Sequence, residues 1–174
     1  MVIKTLSSTD YHRVRKLISM NKHTYVHIPS DERIRLLIDN NLSIGIFEND
    51  QLIGFSLCFI PTKMPVYGNG LDYIINDLIM VDSSKAGQGF GLLILEELER
   101  LAIKEGISKI GATISPLNIA SLKVALKSNW VIKHIKYKKY IDLDVEHNYT
   151  NDYYDEKPTS TELDIMRYWL EKMI

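Results

Sequence analysis

A run of alternating glycines, Ala86-Gly87-Gln88-Gly89-Phe90-Gly91, separates an apolar strand-like segment from a strongly amphipathic one. Downstream, Ile94, Leu95, Leu98, Leu101 and Ala102 recur at helical spacing. Glu96, Glu97, Glu99, Arg100, Lys104 and Glu105 occupy the opposite face. Glycine allows the tight turn from strand to helix and lets a ligand approach the main chain. The first N–H groups of a helix lack intrahelical partners and carry the positive end of its dipole. A strand, a glycine turn and a helix therefore form a place where a phosphate can sit. The same glycines also suit a turn with no ligand at all, so the context has to decide.

Two phosphate motifs fail. A Walker A loop requires Lys-Ser/Thr after its last glycine, whereas Gly91 is followed by Leu92. A dinucleotide fingerprint requires a glycine where Leu92 stands, and the strand before the turn does not open a repeated β-α-β series.

The remaining elements are read from periodicity and punctuation. Val2–Leu6 is a first strand, and Ser8-Thr9-Asp10 caps a helix to about Ser19. Ser30 caps a second helix with Ile34, Leu37 and Ile38 on one face. Asn49-Asp50 is a hairpin turn between two apolar strands. Leu71–Val81 and Ile107–Ser115 are strands around the glycine turn and its helix, predicting a parallel, right-handed crossover. Asn118 starts a helix to about Ser128, and Trp130–Leu143 is a lysine-bearing strand. Thr159 and Glu162 fit a capping box for a terminal helix carrying Leu163, Met166, Leu170 and Met173. The expected fold is α+β: a mixed, largely antiparallel central sheet flanked by helices, plus a C-terminal helix. Residues 1–143 form the main domain, and 144–174 a polar loop and helix packed on it or on a partner.

Val81–Gly91 resembles the first motif of the GNAT superfamily of N-acetyltransferases, and Asn118–Trp130 resembles its second. The family's usual first loop is Arg/Gln-x-x-Gly-x-Gly/Ala after a strand ending in valine. In the second motif Asn118 and Ser121 match, and Asn129-Trp130 replace Gly-Phe. The likeness covers residues 2–141. It implies acetyl-CoA as cosubstrate, its pyrophosphate on the main chain of Gly87, Gln88, Gly89, Phe90 and Gly91. Met80 and Val81 would pair with the pantetheine arm, and Asn118 and Ser121 would adjoin it. Ala86 replaces the usual Arg or Gln, and the adjacent Lys85 partly restores the charge. Ala125 stands where many members carry a tyrosine that protonates the leaving thiolate. A thiolate with a reference pKa near ~8.5 leaves tolerably without that help.

Acetyl transfer to an amine requires the neutral amine, so a positioned carboxylate is useful. Asp77, four residues before Val81 and among Ile74, Ile75, Leu78 and Ile79, is the candidate base; some members have a glutamate there. Burial of such a carboxylate costs free energy unless it is paired or functional. Asn76 is a substrate candidate on the other strand face. By analogy with the family, the segment holding His23, Tyr25 and His27 shapes the acceptor pocket, with Tyr25 as a substrate residue. Those histidines do not make a metal site without a further ligand. The resemblance implies direct attack of the amine, and lone Cys58, between Leu57 and Phe59, reads as core.

The 174 residues carry a formal net charge of -1, which argues against binding nucleic acid over the whole surface. Lys133–Tyr140 is basic and aromatic but equally suits a protected sheet edge. One cysteine, no basic-then-apolar leader and no long apolar run make a cytoplasmic protein, without membrane attachment, the expectation. A homodimer is compatible with the sequence. The primary expectation is an N-acyltransferase acting on a small-molecule or protein amine. The alternatives are a catalytically degenerate GNAT-fold binding or assembly module and a GNAT-like protein acting on nucleic acid.

Overall fold

A computed structural model describes residues 1–21, 29–63, 73–138, 153–154 and 166–174. In chain order the elements are β1 (Val2–Thr5), α1 (Tyr11–Met20), α2 (Asp31–Asp39), β2 (Ile44–Glu48), β3 (Gln51–Phe59), β4 (Ile74–Val81), α3 (Phe90–Lys104), β5 (Lys109–Ile114), α4 (Ile119–Lys127), β6 (Val131–Lys138), β7 (Tyr153–Tyr154) and β8 (Met166–Met173). The strands form one sheet in the order β1-β2-β3-β4-β5-β8-β6-β7. Among the described residues only β4 and β5 pair in parallel; every other neighbouring pair is antiparallel.

Local chemistry sets the element ends. Ser30 Oγ accepts the Arg33 N–H at 3.2 Å and opens α2; Asn118 Oδ1 accepts the Ser121 N–H at 3.1 Å and opens α4. Gly106 and Asn129, with φ of 69° and 59°, close α3 and α4 in the left-handed region. Asn49 and Asp50 both have positive φ, 49° and 62°, as a tight hairpin matched to strand twist requires. Ahead of α1, a short 3-10 turn at Ser8–Asp10 buries the Asp10 carboxylate, which accepts from Ser7 and Arg13.

The core falls into two clusters. One gathers Ile94, Leu98 and Ala102 of α3 and Leu122 of α4 against the sheet. The other gathers Val14 and Leu17 of α1 and Ile34 and Leu37 of α2 against Phe55 and Leu57.

The expected C-terminal helix is not there. Met166–Met173 is strand β8, and it enters the sheet between β5 and β6. Ala112 pairs with Leu170 and Ile114 with Tyr168 on one side; Ile132 pairs with Leu170 and Ile135 with Tyr168 on the other. Trp169 and Leu170, adjacent in sequence, are both buried. A strand covered on both faces does not alternate, so its apolar positions imitate a helical stripe. Tyr168 and Trp169 are strand-favouring residues, and that was the available signal. Leu163 and the Thr159–Glu162 capping pattern lie outside the described residues.

The lysine-bearing strand is described from Val131 to Lys138; the rest of its expected length, to Leu143, lies outside the described residues. Among the described residues its second edge meets β7 only at Tyr137 and Lys138. Val131, Ile132 and Ile135 are exposed, as befits a mostly open edge.

Candidate active site

At the end of β4 the chain turns on Asp82, whose Oδ1 accepts from the Ser84 N–H at 2.9 Å and hydroxyl at 2.8 Å. A short 3-10 turn, Ser83–Lys85, leads into the glycines. Gly87 and Gly89 adopt φ of 77° and 88°, and a Cβ on either would meet nothing within 4 Å. Both features suit a loop whose main chain faces open space. Gly89 is the N-cap of α3, its carbonyl accepting from Leu92 and Leu93 at 3.0 and 3.1 Å. The N–H groups of Phe90 and Gly91 therefore lie in the unpaired first turn, at the positive end of a 15-residue helix. A bound pyrophosphate fits this donor set.

The other loop residues divide by role. Gly91 faces α4: a Cβ there would lie at ordinary contact distance, 3.5 Å, from Val124 Cγ1. Phe90 packs against the α3–α4 core with its side chain. Gln88 is exposed, its amide reaching only the Ser84 carbonyl at 3.5 Å. Lys85 pairs with Glu48 at the end of β2. That contact holds the Glu48 carboxyl below its ordinary value and ties the loop to the sheet. Lys85 is therefore engaged on the protein and does not stand unpaired in place of the absent arginine.

Beside the loop, β4 and β5 separate. They pair only over Ile74–Asn76 with Ile110–Ala112. Thr113 and Ile114 continue against Trp169 and Tyr168 of β8 instead. The end of β4, from Asp77 to Val81, thus loses its parallel neighbour in a cleft that opens toward the glycine turn. Asn118 and Ser121, at the start of α4, follow the end of β5. Met80 is buried in the α1–α2 cluster and Val81 packs against the α3–α4 cluster, so both would address the cleft through main chain alone. Ala125 is buried in the α3–α4 core and presents no hydroxyl.

Asp77 occupies a β-bulge. Leu57 pairs with Leu78 and Cys58 with Asn76, leaving Asp77 as the extra residue. The bulge changes the alternation, so that Leu78 and Met80 face α1 and α2 while Ile79 and Val81 face α3 and α4. Asp77 reaches Arg33 of α2 side-on: Nε donates to Oδ2 at 3.1 Å and a terminal nitrogen donates to Oδ1. The Arg33 side chain is 5% exposed and that of Asp77 is 15% exposed. The guanidinium also lies over the Phe59 ring, 5.8 Å from its centroid.

Arg33, the partner of Asp77, is a residue that the sequence expectations do not include. Its position four residues before Leu37, on the buried stripe of α2, was the signal: a cation there needs a partner in the core.

Asn76, the substrate candidate, is engaged within the protein. It is buried, its Oδ1 accepts from Ser56 Oγ at 3.0 Å, and that hydroxyl lies 3.0 Å from Cys58 Sγ. This polar trio lies under the bulge. Burial pushes the Cys58 thiol up to about 12, so it is not a nucleophile. Tyr25, with His23 and His27, lies outside the described residues. Among the described residues no group of three or more potential ligands could hold a metal, and no helix is long and apolar enough to cross a membrane.

The parallel pair β4–β5 thus parts beside the glycine turn, with the Asp77 carboxylate on a bulge of β4. The sequence profile of the Acetyltransferase (GNAT) family matches residues 11–129, and the chain belongs to that family. Acetyltransferases of that family use acetyl-CoA as cosubstrate. One relative, the L-2,4-diaminobutyric acid acetyltransferase of Marinococcus halophilus, is 28% identical over 116 residues, covering 67% of this chain and 60% of that protein. The Halalkalibacterium halodurans protein of the same name is 36% identical over 74 residues, 42% of this chain and 36% of that protein. The chain thus matches about a third to three-fifths of the length of these relatives. In fold it is similar to the diaminobutyrate acetyltransferase of Paenibacillus lautus, solved with its substrate and coenzyme A. The TM-score is 0.67 at 17% identity, covering 98% of this chain and 93% of that one.

Proposed function

We propose that the protein transfers the acetyl group of acetyl-CoA to the primary amine of a small molecule by direct attack, with Asp77 receiving the amine proton. Family membership supports acetyl transfer to an amine; the relatives named for diaminobutyrate favour a small acceptor over a protein. The observation that carries the reading is the placement of one carboxylate, on a bulge, at the mouth of the β4–β5 cleft that runs to the glycine turn.

In this reading the pyrophosphate lies on the main chain of Gly87–Gly91, and the pantetheine arm runs along Met80 and Val81 in the cleft, past Asn118 and Ser121. The acceptor nitrogen attacks the thioester carbonyl carbon, a C–N bond forms, and the C–S bond breaks as the thiolate leaves. The amine proton passes to Asp77 and on to solvent. Each Asp77 oxygen accepts one bond from Arg33 and retains lone-pair capacity for an amine N–H or a water. With Ala125 at the position of the usual tyrosine, the thiolate leaves without a protein acid from α4 and takes its proton from solvent.

Steady-state kinetics of Asp77→Asn with acetyl-CoA and an amine panel test this. The reading predicts a fall in kcat of about 10²-fold or more with little change in acetyl-CoA affinity. An unchanged kcat removes Asp77 from the proton path.

A further inference from the structure

We propose that Arg33 is a positioning residue for the transfer: it fixes the orientation of the Asp77 carboxylate and itself touches neither acceptor nor thioester. The proposal rests on the reading in which Asp77 takes the amine proton.

A bulge leaves one residue outside the ladder, so strand alternation does not set the direction of its side chain. Asp77 is that residue, between the Cys58–Asn76 and Leu57–Leu78 pairs. Arg33 supplies the missing constraint. Its Nε donates to Oδ2 at 3.1 Å and a terminal nitrogen donates to Oδ1. Two bonds from one planar group to the two oxygens fix the plane of the carboxylate, where a single ammonium contact leaves it free to turn. Arg33 is itself held. It lies in the first turn of α2, and its backbone N–H donates to Ser30 Oγ at 3.2 Å. Ile34 and Leu37 anchor that helix in the core, and the guanidinium lies over the ring of buried Phe59. The two partners differ in exposure, 5% for Arg33 and 15% for Asp77. The arginine therefore lies behind the carboxylate, and the aspartate is the member more open to an acceptor. Stability alone does not account for such a pair, because desolvation of two buried charges offsets much of their attraction. Orientation does: misplacing a reacting group by about 1 Å costs about 10²-fold in rate.

A double-mutant cycle on kcat tests this. Arg33→Lys keeps the charge beside Asp77 but offers one nitrogen in place of the fork. It is combined with Asp77→Asn. All four proteins are assayed with acetyl-CoA and 1,3-diaminopropane, spermidine or 2,4-diaminobutyrate, whichever the parent acetylates fastest. Arg33→Lys is expected to lower kcat about tenfold or more with the KM for acetyl-CoA unchanged. In the Asp77→Asn background the same substitution is expected to change kcat less than about twofold, because a residue that acts only through Asp77 has nothing left to orient. The neutral variant Arg33→Gln/Asp77→Asn, which carries no lone charge, is expected to match Asp77→Asn. A double neutral variant markedly slower than Asp77→Asn overturns the proposal, and this arm holds even where Arg33→Lys does not fold. Equal losses from Arg33→Lys in both backgrounds, the mark of a purely structural pair, overturn it too. An Arg33→Lys with the parent's kcat beside a slow Asp77→Asn overturns it and leaves the base assignment standing. An Asp77→Asn as fast as the parent overturns the base assignment and the proposal with it. No turnover of any of the three amines by the parent overturns the acetyl-transfer reading itself.

Discussion

Asn21, the last described residue before the segment expected to shape the acceptor pocket, is bonded directly to the turn that leads into the glycines. Its Oδ1 accepts the Ser83 N–H at 3.0 Å, and its amide donates to the Leu17 carbonyl at 2.8 Å. Asn21 is buried, so loss of its side chain strands both backbone groups. Asn21→Ala is expected to cost about 1–3 kcal/mol of stability and to weaken acetyl-CoA binding several-fold by loosening the turn before Gly87. Chemical denaturation and calorimetry on the same samples check the two effects. Intact affinity would show that the contact only holds α1.

Gly89 and Gly106 share a left-handed backbone but differ in place. Their φ values are 88° and 69°, and a Cβ added to either would meet nothing within 4 Å. Substitution by alanine should cost each about 1–2 kcal/mol through the left-handed conformation. Of the two, Gly89 lies at the start of α3 in the cofactor turn, whereas Gly106 lies beyond its far end. Gly89→Ala should therefore lose acetyl-CoA affinity while Gly106→Ala keeps it. Parallel losses of affinity in both would mean that general destabilisation, and not the turn, is being measured.

Strand β8 is bonded on both sides, to β5 and to β6. Removing residues 166–174 deletes a strand from inside the sheet and exposes the apolar surface that Trp169 and Leu170 cover. A chain ending at residue 165 is expected to lose cooperative thermal unfolding by circular dichroism. Retention of a sharp transition would contradict the central position of this strand.

Glu171 on β8 accepts from the Trp169 indole N–H at 2.9 Å and from Lys109 of β5 at 3.3 Å. Burial works against its charge, but the indole and the Lys109 ammonium outweigh burial and hold the carboxyl below its ordinary value. A depressed carboxyl stabilises the fold fully above its ordinary value and loses that contribution as pH falls through the lowered folded value. The Tm difference between the parent and Glu171→Gln should therefore be largest near neutrality and shrink under acid. A difference independent of pH would show that the carboxylate charge plays no part.

Much of the local structure around the candidate site was legible because glycines and caps act locally. Gly87 and Gly89 announce positive φ, Asn118 announces a helix start, and Asn49-Asp50 announces a hairpin. What failed depends on tertiary context. A strand covered on both faces imitates a helix at Leu170 and Met173. The bulge that sends Asp77 to one face and Asn76 into the core arises from the pairing of β3 with β4, which local sequence does not encode. The partner of Asp77 lies 44 residues away in sequence, so the ion pair could be suspected from Arg33 on an apolar stripe but not assigned. The Lys85–Glu48 pair likewise joins residues 37 apart in sequence.

The most direct measurement is a calorimetric comparison of coenzyme A with pantetheine. Coenzyme A carries the pyrophosphate that the proposed cradle of helix N-terminus and glycine turn would hold, and pantetheine does not. Binding of coenzyme A roughly 100-fold tighter than pantetheine or better, a difference of about 2.7 kcal/mol, is the predicted result. Equal affinities, or no binding of coenzyme A at millimolar concentration, would contradict the assignment of the turn as the cofactor cradle.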